Sequence, residues 1–353
     1  MSHRVQLIVY TVSHFCVDFC CFFVLFSWVS NGTHSTQVIT LGFLAYNAIA
    51  FGFQPLIGYL CDVNRKTPIE LIGCPLLIIG LLLMHIPAAA IILIGMGNAV
   101  FHIAGGIDSL RHSNGKMARS GVFVSSGALG VAFGSLAGKS GTLSVYIPIG
   151  VLIICLASLY VVYRKRMGKK DTETVFSIAK PNLNYGTILL IASVSILIRS
   201  YAGTILPAEW KTTTVLFLFP AIGAFIGKIS GGFIADKIGA KPASVFSLFM
   251  AAVLGAFGYM NPWIYLTAII LFNMSMSVTL CAIASVLPLN PGLAFGITTP
   301  ALLCGNVPTF FVAAEPAPLI FAVLTIVSAL CLYYILERNK VKDNEEIFEN
   351  SRR

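Results

Sequence analysis

Apolar runs of about 20 residues recur from one end of this chain to the other, each long enough to cross a bilayer as a helix. Charge is correspondingly scarce. Of 353 residues, 57% are hydrophobic and only 10% are charged, against roughly 25% charged in ordinary soluble proteins. The chain therefore reads as an all-α polytopic membrane protein. Twelve spans are expected, at 5–29, 37–60, 69–86, 88–107, 119–138, 143–162, 185–205, 212–235, 243–260, 262–283, 293–313 and 317–336. The first run is too long for the apolar core of a cleavable signal peptide and lacks a small-residue cleavage site, so none is expected.

The longest polar stretch, "YRKRMGKKDTETVFSIAKPNLNYG" (163–186), falls near the middle. It divides the chain into a six-helix bundle over 1–162, a linker over 163–184, a second bundle over 185–336 and a mixed-charge tail over 337–353. With the N-terminus placed in the cytoplasm, nineteen of the 23 Lys and Arg fall on the inner side; only Lys139 and Lys211 fall outside. That asymmetry predicts both termini inside, in the plasma (inner) membrane. It accounts for the formal charge of +9 without a nucleic-acid partner. The nine cysteines form no CxxC pair and no Cys/His alternation, so they read as small packing residues. Neither a metal nor a cofactor is expected, and no nucleophile–base pair suggests an enzyme.

The halves repeat. "GYLCDVNRK" (58–66) follows the second span and "GGFIADKIGAK" (231–241) follows the eighth. Asp62 and Asp236 are 174 residues apart; Asn98 and Asn273, Gly121 and Gly296, and Gly130 and Gly305 are each 175 apart. Parallel repeats of this kind are a transporter architecture, with the binding site near the midplane between the halves. In each loop a glycine permits close helix approach, and the aspartate can accept backbone N–H bonds at a helix start. One such loop would be an ordinary polar turn. Two at matched positions suggest a latch that joins the halves on the cytoplasmic side.

These features resemble the major facilitator superfamily, and within it the fosmidomycin-resistance-like branch of efflux carriers. The superfamily loop G-x-L-A-D-x-x-G-x-K is matched by Gly232, Asp236, Gly239 and Lys241. The first copy keeps Gly58, Leu60, Asp62, Arg65 and Lys66 but lacks the internal glycine. The branch is suggested by "HFCVD" in span 1, "GNAVFHIAGG" in span 4, "IRSYAGTILPAEW" in span 7 and "LPLNPGLAFG" before span 11. Span 5 keeps Gly121, Gly127, Gly130, Gly134 and Gly138, but Ser135 stands where an antiporter of this superfamily would carry proline. The resemblance implies twelve helices in two pseudo-symmetric bundles and alternating access. It further implies proton-coupled efflux of a small organic molecule. A monomer is expected; the alternatives are import or uniport of a small organic anion, which a cationic lining of Arg199 with the histidines would suit, and a non-transporting receptor or scaffold on the same fold.

The candidate site follows from buried polarity. A centred aspartate costs roughly 2.5–3.5 kcal/mol to insert, so Asp18, halfway along span 1, demands a role. His14 lies one turn away on the same face. The pair is read as the proton-coupling site, against the plainer possibility that it pins span 1 to a neighbour. Arg199 in span 7 is the candidate counter-charge to Asp18 or a ligand for an anionic substrate, if it does not snorkel to the outer headgroups. His102, Asn98 and Asn273 complete the candidate substrate site. Lys228 reads as snorkelling to the inner face. Asp108 and Arg111 are assigned to the cytoplasmic charge network. Trp210 reads as an interfacial anchor, with Glu209, Lys211 and Glu315 on the outside. The sequon at Asn31 also falls outside, where such a match carries little weight.

Overall fold

The computed structural model describes residues 2–32, 34–166, 174–312 and 317–337. Residues 338–353 of the expected tail, Glu315, Lys169 and Lys170 of the linker, and Thr33 of the sequon lie outside the described residues. A continuous apolar run has only its own backbone to satisfy its N–H and C=O groups in lipid, so each becomes a helix. The first half comprises α1 (His3–Asn31), α2 (Thr36–Gly52), α3 (Gln54–Val63), α4 (Gly73–Leu82), α5 (Pro87–Arg111), α6 (Met117–Ser140) and α7 (Tyr146–Arg166). The second comprises α8 (Tyr185–Ile205), α9 (Thr214–Ile238), α10 (Ala240–Gly258), α11 (Pro262–Asn273), α12 (Ser275–Ser285), α13 (Pro291–Asn306), α14 (Pro308–Phe311) and α15 (Pro318–Ile335).

Among the described residues eleven spans are long and apolar enough to cross a membrane, three of them as collinear pairs: α2 with α3, α11 with α12, and α13 with α14. Pro55 breaks the first pair and Pro308 the last, because each removes an intrahelical N–H. The expected third span, 69–86, is shorter than its hydropathy suggests. A 3₁₀ turn at Ile69–Leu71 leads into α4, which ends at Leu82.

Glycines set the packing. Gly130, Gly134 and Gly138 run down α6 against the backbone of Phe15, Phe19 and Phe23, bringing α6 onto α1 closely enough that any Cβ would collide. In the second half Gly305 of α13 presses on Leu197 and Ser200 of α8 in the same way. The repeat therefore holds at the level of contacts: where Gly130 meets Phe15 and Asp18, Gly305 meets Leu197 and Ser200. The halves meet along two crossings. Gly121 of α6 sits against the carbonyl of Lys228 in α9, and Gly296 of α13 against Gln54 and Pro55 of α3. Lys228 and Gln54 are themselves 174 residues apart.

Candidate functional site

The loop aspartates lie at the end of the bundle that also carries Arg4, Arg65, Arg119 and Lys237, the basic end. Each accepts from a helix start in the opposite half. Asp62, near the end of α3, takes the N–H groups of Gly292 (3.0 Å) and Leu293 (2.7 Å) at the first turn of α13. Asp236, near the end of α9, takes those of Met117 (2.7 Å) and Ala118 (3.0 Å) at the first turn of α6. A carboxylate there satisfies two otherwise orphaned donors and meets the positive end of the helix dipole. The matched glycines make the approach possible: Gly58 abuts the backbone of Gly292, and a Cβ on Gly232 would lie 2.6 Å from the Cα of Ala118.

The other residues of the loop motif divide. Arg65 donates to the carbonyl of Leu289 in the other half at 3.2 Å. Gly239, with φ +98°, ends α9, a conformation that L side chains rarely adopt. Lys66 is exposed. Lys241 does not join the crossing; its Nζ lies 3.6 Å from the centroid of the Tyr333 ring, tying α10 to α15. Asp108 accepts from Arg119 (2.7 Å) and from Gln6, and faces His112 at 3.1 Å, so it belongs to this charged end.

Deeper in the bundle a cavity of about 390 Å³ lies between the halves. His14, Asp18 and His102 line it from the first half, and Arg199, Lys228 and Asn273 from the second. Phe22, Phe51, Phe295 and Leu280 give it apolar walls. Asn98 does not reach the cavity. It stands behind Asp18 and donates to Oδ1 at 2.7 Å. His14 Nε2 lies 3.3 Å from Oδ2, and His102 Nε2 lies 3.8 Å from Oδ1. The imidazoles meet edge to face, 4.5 Å between centroids.

The tautomers follow from the other ring nitrogens. His14 Nδ1 is 2.7 Å from the carbonyl of Phe123, and His102 Nδ1 is 2.9 Å from that of Asn98. A carbonyl can only accept, so both Nδ1 atoms carry hydrogen. Each Nε2 then faces Asp18 either bare or protonated. A bare nitrogen would set its lone pair against the carboxylate, so the arrangement calls for a cation between them. A proton satisfies it. His14, Asp18 and His102 also bring one ligand atom each within 4.8 Å of one another, a spacing a metal ion could use. Two cations that the second half brings to the same cavity, Arg199 and Lys228, oppose a divalent ion there more strongly than a single exchangeable proton.

Room for the cluster comes from Gly127. A Cβ at that position would lie 2.6 Å from His14 Nε2 and closer still to Asp18 Oδ2. The sequence marks Gly127 only as one of several packing glycines. Its relation to the carboxylate becomes visible when α1 and α6 are placed together.

Arg199 is 3% exposed and does not snorkel. It donates to Ser275 Oγ, to Thr279 Oγ1 at 2.7 Å and to the carbonyl of Ser195 at 3.3 Å. It shares the cavity with Asp18 but is not paired with it. Lys228 corrects the sequence reading. Its Nζ turns inward and donates to the carbonyl of Val124 in α6 at 3.1 Å, because its backbone is pressed against Gly121 at the crossing rather than facing lipid. Asn273 bonds the carbonyl of Ile269 in its own helix at 2.9 Å. Trp210 packs on protein: its indole N–H donates to the Tyr259 carbonyl at 2.9 Å and its ring meets Tyr265 edge-on. Ser135 bonds the carbonyl of Val131 and leaves α6 unbroken.

Comparison with solved structures decides the architecture. A structure of the fucose:proton symporter of E. coli has a TM-score of 0.65 at 13% identity, covering 96% of this chain and 100% of that one. Another, described as a major facilitator superfamily transporter in the outward conformation, has a TM-score of 0.58 at 12% identity, covering 94% and 100%. This chain has the major facilitator fold. A bacterial homologue of the iron transporter ferroportin, in its outward-facing state, shares the fold at a TM-score of 0.58 and 16% identity, covering 95% of this chain and 97% of that one. No protein-family model matches the sequence. No curated protein matches it either. At these identities the likeness carries the major facilitator fold alone.

Proposed function

We propose that the chain is a secondary active transporter that moves a small organic molecule across the membrane by alternating access. Protons bound at Asp18, with His14 and His102 beside it, drive the cycle. The observation that carries this reading is the convergence of two imidazole Nε2 atoms on one buried carboxylate, in a cavity walled by both halves. Ionisable groups at membrane depth are expensive and line substrate or ion pathways. The division into bundles at 1–162 and 185–336, joined by the linker, supplies the two moving bodies.

In this reading Asp62 and Asp236 hold the cytoplasmic end shut. Releasing them frees the helix starts of α13 and α6 and lets that end open. The basic end is the cytoplasmic one, by the distribution of Lys and Arg, and the protein is a monomer in the inner membrane. Efflux by antiport follows from the resemblance to the fosmidomycin-resistance-like branch. Uptake of an organic anion is the second reading, favoured by Arg199 and Lys228 on the cavity wall. A non-transporting receptor on the same frame would tolerate loss of the buried charges.

The test is proton movement in proteoliposomes loaded with a pH-sensitive dye, challenged with a library of small organic acids, bases and neutral compounds. Wild-type protein should couple proton flux to at least one class. Asp18→Asn should remove the coupling while the protein stays folded by circular dichroism. Full proton flux in that variant would refute the proton role.

A further inference from the structure

Two cations face this cavity without a counter-ion. Arg199 has five N–H donors, and the contacts it makes are all with neutral groups: the hydroxyls of Ser275 and Thr279 and the Ser195 carbonyl. Lys228 has three donors, of which one is directed at the Val124 carbonyl. Among the described residues no carboxylate lies within ion-pair distance of either. Asp18, the single acid among the described residues lining the cavity, is already engaged by His14, His102 and Asn98. Charges taken out of water need partners. Here the chain supplies the cations and leaves the partner out.

We propose that Arg199 and Lys228 form an anion subsite, and that the cargo is an organic anion with an apolar body which binds together with a proton. This deepens the transporter reading and rests on it for the word cargo. The apolar body follows from Phe22, Phe51, Phe295 and Leu280 on the same walls, and the size from the cavity's 390 Å³. This volume is in the range that holds small ligands.

The charge arrangement also fixes the sign of coupling. The titratable and charged groups around Asp18 are His14, Cys20 and Cys21 on its own helix, Tyr46 on α2, His102 on α5, Lys228 on α9 and Arg199 on α8. A proton added to the Asp18 cluster removes the only negative charge among the described residues that line the cavity, so an anion then meets two cations and no opposing carboxylate. By reciprocity, a bound anion holds the proton more tightly. Proton and anion therefore occupy the cavity together. Antiport requires the opposite, a cargo that competes with the proton. The inference thus favours cotransport over the exchange that the branch resemblance implies.

The experiment is equilibrium binding to purified full-length protein, read as thermal protection. Four probes of one shape are used: benzoate, benzenesulfonate, benzamide and benzylammonium. The two anions should protect; the neutral and cationic probes should not. Lys228→Met should weaken benzoate binding at least about tenfold, the effect of removing one partner of a buried charge pair. Arg199→Gln should do the same; if that variant does not fold, Lys228→Met and Lys228→Arg carry the test, with partial recovery expected in Lys228→Arg. Benzoate affinity should rise as the pH is lowered and the Asp18 cluster takes up its proton, and Asp18→Asn should flatten that rise. Protection by benzylammonium, equal protection by sodium chloride at matched ionic strength, binding indifferent to Lys228→Met, or no binding at millimolar concentration would each overturn the subsite. Benzoate binding without any flux in proteoliposomes would spare the subsite and sink the transporter reading instead.

Discussion

The two halves share a scaffold and differ in what they place on it. In the first, Gly130 backs onto Phe15 and Asp18; in the second, Gly305 backs onto Leu197 and Ser200. Asp18 thus has Ser200 as its counterpart, and Ser200 donates to the carbonyl of Leu302. Leu302 stands 175 residues after Gly127, the glycine that makes room for Asp18. At the crossings Gln54 occupies in one half the place that Lys228 occupies in the other. Packing glycines and capping aspartates are duplicated, whereas Asp18, His14, His102, Arg199 and Lys228 occur once. Duplication built the frame, and the chemistry lies where the duplication fails.

The contrast can be broken most sharply at Asp18 and Ser200. Asp18→Asn is expected to abolish pH-driven flux in proteoliposomes, a loss of at least about a hundredfold if the carboxylate is the proton carrier. Ser200→Ala removes one hydrogen bond, worth about 0.5–1.5 kcal/mol, and should leave coupling intact; equal losses in the two variants would erase the functional asymmetry. Gly127→Ala comes next. The added methyl group meets His14 and Asp18 directly, so pH dependence should be altered with little change in helix content by circular dichroism. An unchanged pH profile would show that the cluster does not need that space.

The aspartate crossings give a test of sameness. Asp62→Asn and Asp236→Asn each weaken two charge-assisted hydrogen bonds, about 1.5–3 kcal/mol apiece at full loss, and should lower the melting temperature by similar amounts. A large drop in one variant only would show that the two crossings are not equivalent. Lys241→Ala should have the smallest effect, about 0.5–1 kcal/mol from one cation–π contact, with flux unchanged. A flux defect there would return Lys241 to the crossing from which its contact with Tyr333 removes it.

Hydropathy alone reveals most of the spans, because no soluble arrangement accommodates so many apolar runs. Asp18 stands out for the same reason, as the costly residue in such a run. The partners of each buried charge are another matter. These helices are apolar on nearly every side, so periodicity does not tell which face meets lipid and which meets protein. Lys228 is the instructive case: its position near a span end suits snorkelling, but its helix is pressed against Gly121 and the side chain turns inward. Arg199 is found by charge alone, whereas its partners Ser275 and Thr279 are ordinary hydroxyls in an apolar sequence. The shortness of the third span is not legible either, since Leu82 runs on into Leu83 and Met84 without a polar break.

The crosswise capping has a consequence for assembly. Each half ends a helix with the carboxylate that the other half needs to start one: Asp62 for α13 and Asp236 for α6. Neither half supplies the carboxylate for that helix start from its own chain. If the gene were split in the linker and the two pieces made separately, each piece would carry the key to the other's lock, and the pair should find its register without the tether.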